Sequence, residues 1–106
     1  MNKQMLLSIL NNPTKSQTEY VVRYDRGDEY GYYCETGFYS EGFEVLDNVK
    51  KFKLFRYKEV KELDFEDLND ILRRECDVED LEVDFEYINL YDLVLEYLEE
   101  TLWNKN

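Results

Sequence analysis

The stretch Leu81-Glu82-Val83-Asp84-Phe85-Glu86-Tyr87 alternates apolar and acidic residues without a break. A period of two sends Leu81, Val83, Phe85 and Tyr87 to one side of an extended backbone and Glu82, Asp84 and Glu86 to the other, so the spacing predicts a β-strand over 81–87. The segments on either side have helical period instead. Upstream, Phe65, Leu68, Ile71, Leu72 and Cys76 share one face of a helix predicted to begin at Asp64, where Asp64 and Asp67 resemble a capping box. Downstream, Asn89 is placed to cap a helix whose Leu90, Leu93, Val94, Tyr97, Leu98 and Leu102 turn inward and whose Asp92, Glu96 and Glu99 form an outer stripe.

Towards the other end of the chain the pattern changes to short runs of Tyr, Val and Phe. Residues 19–24, 29–35 and 38–46 read as strands separated by glycine-bearing turns at Arg26-Gly27-Asp28, Thr36-Gly37 and Glu41-Gly42. The Arg-Gly-Asp tripeptide is accounted for by its turn-forming glycine. Residues 52–60 continue as a strand with apolar residues in both phases, decorated by Lys50, Lys51, Lys53, Arg56 and Lys58. Before the first strand, Met5, Leu6, Ile9 and Leu10 recur at helical spacing, Asn11, Asn12 and Pro13 end that helix, and 13–18 reads as a polar connector. The expected fold class is α+β: a single domain over residues 1–106, with a short N-terminal helix, an antiparallel β-meander of about four strands, then helix, strand and helix packed on the sheet. A chain of this length buries roughly two thirds of the surface its unfolded form exposes, which is enough for one core. Hydrophobic content of 43% with 16% aromatics agrees with a folded chain rather than an acidic tail.

Charge is the second organising feature. Residues 1–58 hold eight acids and nine bases, whereas residues 59–106 hold seventeen acids and four bases, and the whole chain carries −12. Between Glu75 and Asn104 there are eleven carboxylates and no Lys or Arg. Asp64, Glu66, Asp67 and Asp92 fall in first helical turns, where the helix dipole favours negative charge by roughly 0.3–1 kcal/mol each. Glu96, Glu99 and Glu100 fall at the disfavoured end, and like charges four residues apart cost about 0.2–0.5 kcal/mol per pair. On a strand, Glu82, Asp84 and Glu86 would stand about 6.6 Å apart, given a rise of about 3.3 Å per residue. Phosphates along a nucleic-acid backbone make a comparable row, and Lys and Arg on a binding surface respond to both.

The sequence therefore predicts an acidic, non-enzymatic inhibitor. Its partner-binding residues would be Glu79, Asp80, Glu82, Asp84, Glu86, Asp92, Glu96, Glu99 and Glu100, and its target the basic surface of a nucleic-acid-handling protein such as a nuclease or CRISPR effector. In size and charge the chain resembles the acidic anti-defence proteins of phages, including anti-CRISPR and DNA-mimic inhibitors. That resemblance implies competition for a nucleic-acid-binding cleft inside a bacterial host cell. An immunity protein that neutralises a basic nuclease toxin would use the same physics. A third reading is an adaptor that binds protein through its tyrosine-rich meander, with Tyr30, Tyr32, Tyr33 and Tyr39 as contacts, since tyrosine combines a large ring with a polar tip. If the Lys51 and Lys53 strand lay beside Glu82, Asp84 and Glu86, cross-strand pairing would cancel the acidic row.

Other chemistries find little in the residues. The chain has no histidine, and Ser8, Ser16 and Ser40 lie in no nucleophile-elbow or phosphate-loop pattern, so no catalytic residue, cofactor or metal is assigned. Asp77, Glu79, Asp80 and Glu82 lack the spacing and glycine turn of a calcium loop. Acids rather than bases flank the tyrosines, which disfavours direct nucleic-acid binding. Cys34 and Cys76 show no metal spacing and read as reduced, half-buried thiols. Residues 1–10 carry neither a signal-peptide pattern nor a membrane span, so a cytoplasmic protein without membrane association is expected.

Overall fold

Residues 20–24, Tyr-Val-Val-Arg-Tyr, place apolar side chains in both phases of a strand, as a strand covered on both faces requires. The computed structural model describes residues 3–25, 30–35, 37–39 and 52–103, with backbone alone for Lys3, Met5, Tyr39 and residues 100–103. It makes this stretch the centre of an antiparallel sheet. Strand β1 (Glu19–Asp25) pairs with β2 (Tyr30–Cys34), from Arg23 opposite Tyr32 to Asp25 opposite Tyr30, and β2 pairs with β3 (Gly37–Tyr39). The two-residue β4 (Phe55–Arg56) pairs with Tyr20 and Glu19 at the start of β1. Strand β5 (Phe85–Asn89) runs beside residues of β1 that pair with β2 and with β4, so it occupies the opposite edge, in register from Tyr20 opposite Asn89 to Tyr24 opposite Phe85.

Helices cover both faces, which gives three layers and two apolar cores. On one face, α1 (Lys3–Asn11) and α5 (Leu90–Trp103) bring Ile9, Leu90 and Leu93 onto Val21, Tyr32 and Cys34. On the other, α3 (Tyr57–Lys61) and α4 (Phe65–Cys76) bring Val60 and Leu68 onto Val22, with Phe38, Phe65 and Phe85 packed around them. Val21, Val22, Leu93 and Val94 are fully inaccessible, and each such side chain contributes roughly 1.5–3 kcal/mol by leaving water. One glycine is sterically required: the Tyr24 ring lies over Gly31 of the neighbouring strand, where an added Cβ would overlap it. The α+β class expected from the sequence is the class observed, with a short N-terminal helix first and helices packed against the sheet.

Several boundaries differ from the sequence expectation, each for a local reason. Residues 13–18 are not a plain connector, because Pro13 opens a second short helix, α2 (Pro13–Ser16), at the position where its fixed φ suits a first helical turn. The strand predicted over 52–60 shrinks to β4 preceded by a single bridge from Phe52 to Cys34, and Tyr57 begins α3, where Glu59 Oε1 accepts the Arg56 N–H at 3.1 Å. The meander is therefore β1, β2 and β3 only, since β4 returns to β1. The strand predicted over 81–87 starts at Phe85, because the backbone of Leu81 and Val83 is bonded to α4 side chains rather than to a neighbouring strand. Asp77 ends α4 in the left-handed conformation, at φ 55°, which a short polar side chain tolerates. The turn predicted at Arg26-Gly27-Asp28 and most of the strand predicted over 38–46 lie outside the described residues. No helix among the described residues is long and apolar enough to cross a membrane.

Candidate functional site

The predicted acidic surface does not act as one: two of its groups are employed differently, and the rest is dispersed. Arg23 is the cause. It stands on β1 in the same phase as Val21 and so points into the α5-side core, where its side chain is 4% exposed. Its Nε donates to Glu86 Oε1 at 2.8 Å, its Nη1 to Glu96 Oε2 at 2.8 Å and its Nη2 to Glu96 Oε1 at 3.2 Å. The Tyr30 ring lies beneath the guanidinium, with the central carbon 4.0 Å from the ring centroid. Burial pulls the Arg23 pKa down, but the hydrogen bond and charge of Glu96, followed by those of Glu86, outweigh it and leave the guanidinium above its usual value. Burial holds the Tyr30 phenol up, against the opposing pull of Arg23.

Glu86 is the cross-strand neighbour of Arg23, and Glu96 reaches it from α5, so these two acids join β1, β5 and α5 rather than forming an isolated negative row. Asp92 also has structural work: its N–H donates to Asn89 Oδ1 at 2.8 Å, the cap expected at the start of α5, and its carboxylate accepts from Asn89 Nδ2 at 2.9 Å. Sequence reasoning overlooked Arg23 because it reads as one base within an apolar strand. The available signal was a lone arginine in the most hydrophobic run of the chain, which needs a partner when buried.

Glu82 and Asp84 form the other group. They lie on an exposed strap between α4 and β5 that is fastened from beneath. Asn69, buried on α4, donates from Nδ2 to the Leu81 carbonyl at 3.0 Å and accepts the Val83 N–H at 3.3 Å. Arg73 Nε donates to the same Leu81 carbonyl at 2.8 Å, and its Nη1 pairs with Asp70 at 2.6 Å. The strap and α4 border a cleft of about 750 Å³ whose wall carries Asp25, Glu66, Asp70, Glu82 and Asp84 together with Arg73. Glu66, Glu82 and Asp84 make no side-chain ion pair among the described residues. Asp25 was absent from the sequence-predicted surface because it is distant in the chain from 79–100, and Glu66 because its place in the first turn of α4 already accounted for its charge.

The remaining predicted residues are spread over other places. Glu79 and Asp80 are exposed in the turn after α4, where Glu79 shares a shallow depression with Arg73, Arg74 and Asp77. Glu99 is exposed on α5, and the Glu100 side chain lies outside the described residues. Lys53 pairs with Glu35 at 3.7 Å and not with the acidic strap, since residues 52–56 and β5 flank opposite edges of β1; Lys50 and Lys51 lie outside the described residues. Of the meander tyrosines, Tyr32 is 1% exposed in the core, Tyr33 is half-buried against Phe38 and Phe55, Tyr30 carries Arg23, and the Tyr39 side chain lies outside the described residues. A different tyrosine group clusters elsewhere: Tyr20, Tyr57 and Tyr87, whose ring centroids are 5.5–6.4 Å apart, with Tyr57 and Tyr87 exposed. Cys34 is buried and Cys76 exposed, both as free thiols, rather than both half-buried. No cluster of three possible metal ligands occurs among the described residues. Comparison with known proteins finds no matching family model, curated protein or solved structure, so the functional reading rests on this geometry and its chemistry.

Proposed function

We propose that the protein is a non-enzymatic inhibitor that blocks a basic nucleic-acid-binding surface of a partner, a nuclease or nucleic-acid-guided effector. One observation supports this reading above the others: Glu66, Glu82 and Asp84 gather with Asp25 and Asp70 around a single cleft, where Arg73 is the one residue of opposite sign among the described lining residues. Carboxylates held on a helix and on a strap tied to that helix are pre-positioned, so little ordering entropy opposes their engagement with Lys and Arg. The cationic surface would be steered in by the complementary field, and the complex would weaken as salt rises. The contact set suggested by the geometry is narrower than the sequence implied. Glu86 and Glu96 already satisfy Arg23, and their withdrawal would leave a buried cation.

The test is recovery of the partner from a bacterial lysate with the wild-type chain and with Glu82→Lys combined with Asp84→Lys. At least tenfold less partner is expected with the double variant, and duplex DNA or RNA should compete with the wild type for it. Capture that is unchanged by the double variant and by raised salt overturns the proposal. An immunity protein acting on a basic nuclease toxin would behave alike in this assay and differ only in which protein is recovered.

A further inference from the structure

The outer edge of β5 is a second feature left without a strand partner among the described residues. Asp25 N–H donates to the Asp84 carbonyl at 3.2 Å, one step beyond the β1–β5 ladder and in its register, which fixes the phase of the hydrogen-bonded pairs. In an antiparallel ladder such pairs alternate, so Arg23 with Glu86 and Val21 with Ile88 are the next ones. Glu86 and Ile88 therefore direct their backbone groups to β1, while Phe85 and Tyr87 direct theirs away from it. Among the described residues no strand pairs with that outer side. Tyr87 is 39% exposed and the Glu86 side chain 47%, so the edge is reachable from solvent. A row of unpaired N–H and C=O groups is a template for another extended chain.

The charges around the edge select the occupant. Pairing with β5 of a second copy would bring Glu82, Asp84 and Glu86 of two chains together, each chain carrying −12, so self-addition is opposed. An extended segment bearing Lys or Arg at alternate positions is favoured. Its cationic side chains would lie on the Glu86 side of the sheet, with Glu82 and Asp84 next along the strap, and its apolar ones beside Phe85 and Tyr87. We propose that the β5 edge accepts such a basic, alternating segment of the partner as an added strand, with main-chain hydrogen bonds to Phe85 and Tyr87. This rests on the functional reading above for the positive charge of the partner; the strand addition is independent of it.

The probe is a ten-residue peptide alternating Lys and Val, titrated into the intact protein with amide hydrogen exchange followed by NMR. Exchange of the Phe85 and Tyr87 amides should slow at least tenfold, while the Glu86 and Ile88 amides, already bonded to β1, change less. The same peptide N-methylated at alternate residues, which blocks the donors of one edge in each of two versions, should bind at least tenfold more weakly in one version. This leaves the protein itself unaltered. No binding, or binding that leaves Phe85 and Tyr87 exchange unchanged and is indifferent to N-methylation, overturns strand addition. The charge reading falls separately, on capture that Glu82→Lys with Asp84→Lys does not alter.

Discussion

Asp84 and Glu86 stand two residues apart in the chain, yet they belong to different parts of the molecule's chemistry. Glu86 and its distant companion Glu96 close on a buried arginine and hold α5 to the sheet, whereas Asp84 and Glu82 stand on a strap with no cation paired to them among the described residues. The difference lies in where Arg23 sits, sixty-three positions from Glu86 in the chain. A carboxylate beside a desolvated guanidinium is structural, and a carboxylate facing water is available to a partner. Composition cannot tell the two apart.

That contrast can be broken most severely at Arg23. Arg23→Met keeps much of the side-chain volume but leaves Glu86 and Glu96 without their cation, and unfolding in urea should reveal a loss of about 2–4 kcal/mol, somewhat below the cost of breaking a fully buried pair because both glutamates are partly exposed. Little change in the urea midpoint would mean that the two glutamates are no more committed than Glu82. Asn69→Ala probes the other side of the comparison by releasing the strap. Loss of the bonds to the Leu81 carbonyl and the Val83 N–H should cost about 1–3 kcal/mol and speed hydrogen exchange at Val83.

Alkaline pH tests the Arg23 setting more gently. Burial raises the folded-state pKa of Tyr30 above its unfolded value of about 10, so its contribution to stability is complete below that value and is lost as pH climbs through the folded one. Tyr30→Phe should therefore flatten the decline in urea midpoint above about pH 10, and an unchanged slope would contradict the assignment. The smallest effect on stability is expected from Glu82→Lys with Asp84→Lys, which should stay within about 0.5 kcal/mol of wild type. A larger loss would show that the strap acids are structural after all, and the distinction drawn between the two groups would vanish.

Much of the architecture was legible from side-chain period alone. Phe65 to Cys76 at helical spacing, the Asn89 cap and the Tyr- and Val-rich runs before residue 35 each announce their element, because period and capping are local properties. The alternation at 81–87 misled for an equally physical reason. Extended conformation is shared by a strand and by a strap, and whether residues 81–84 join a sheet depends on Asn69 and Arg73 bonding to their backbone from α4. The candidate site was half legible: Glu82 and Asp84 were identified, but Asp25 and Glu66 reach the same cleft only through the fold.

The sequence by itself determined the α+β class, the acidity of the second half and the supply of carboxylates, since these follow from composition and from spacings of two to four residues. Tertiary structure alone decided which carboxylates are committed and which edge of the sheet has no strand partner among the described residues. Both depend on placing β1 between β2 and β5 and on the burial of one guanidinium, and contacts between residues sixty or more positions apart leave no trace in local period.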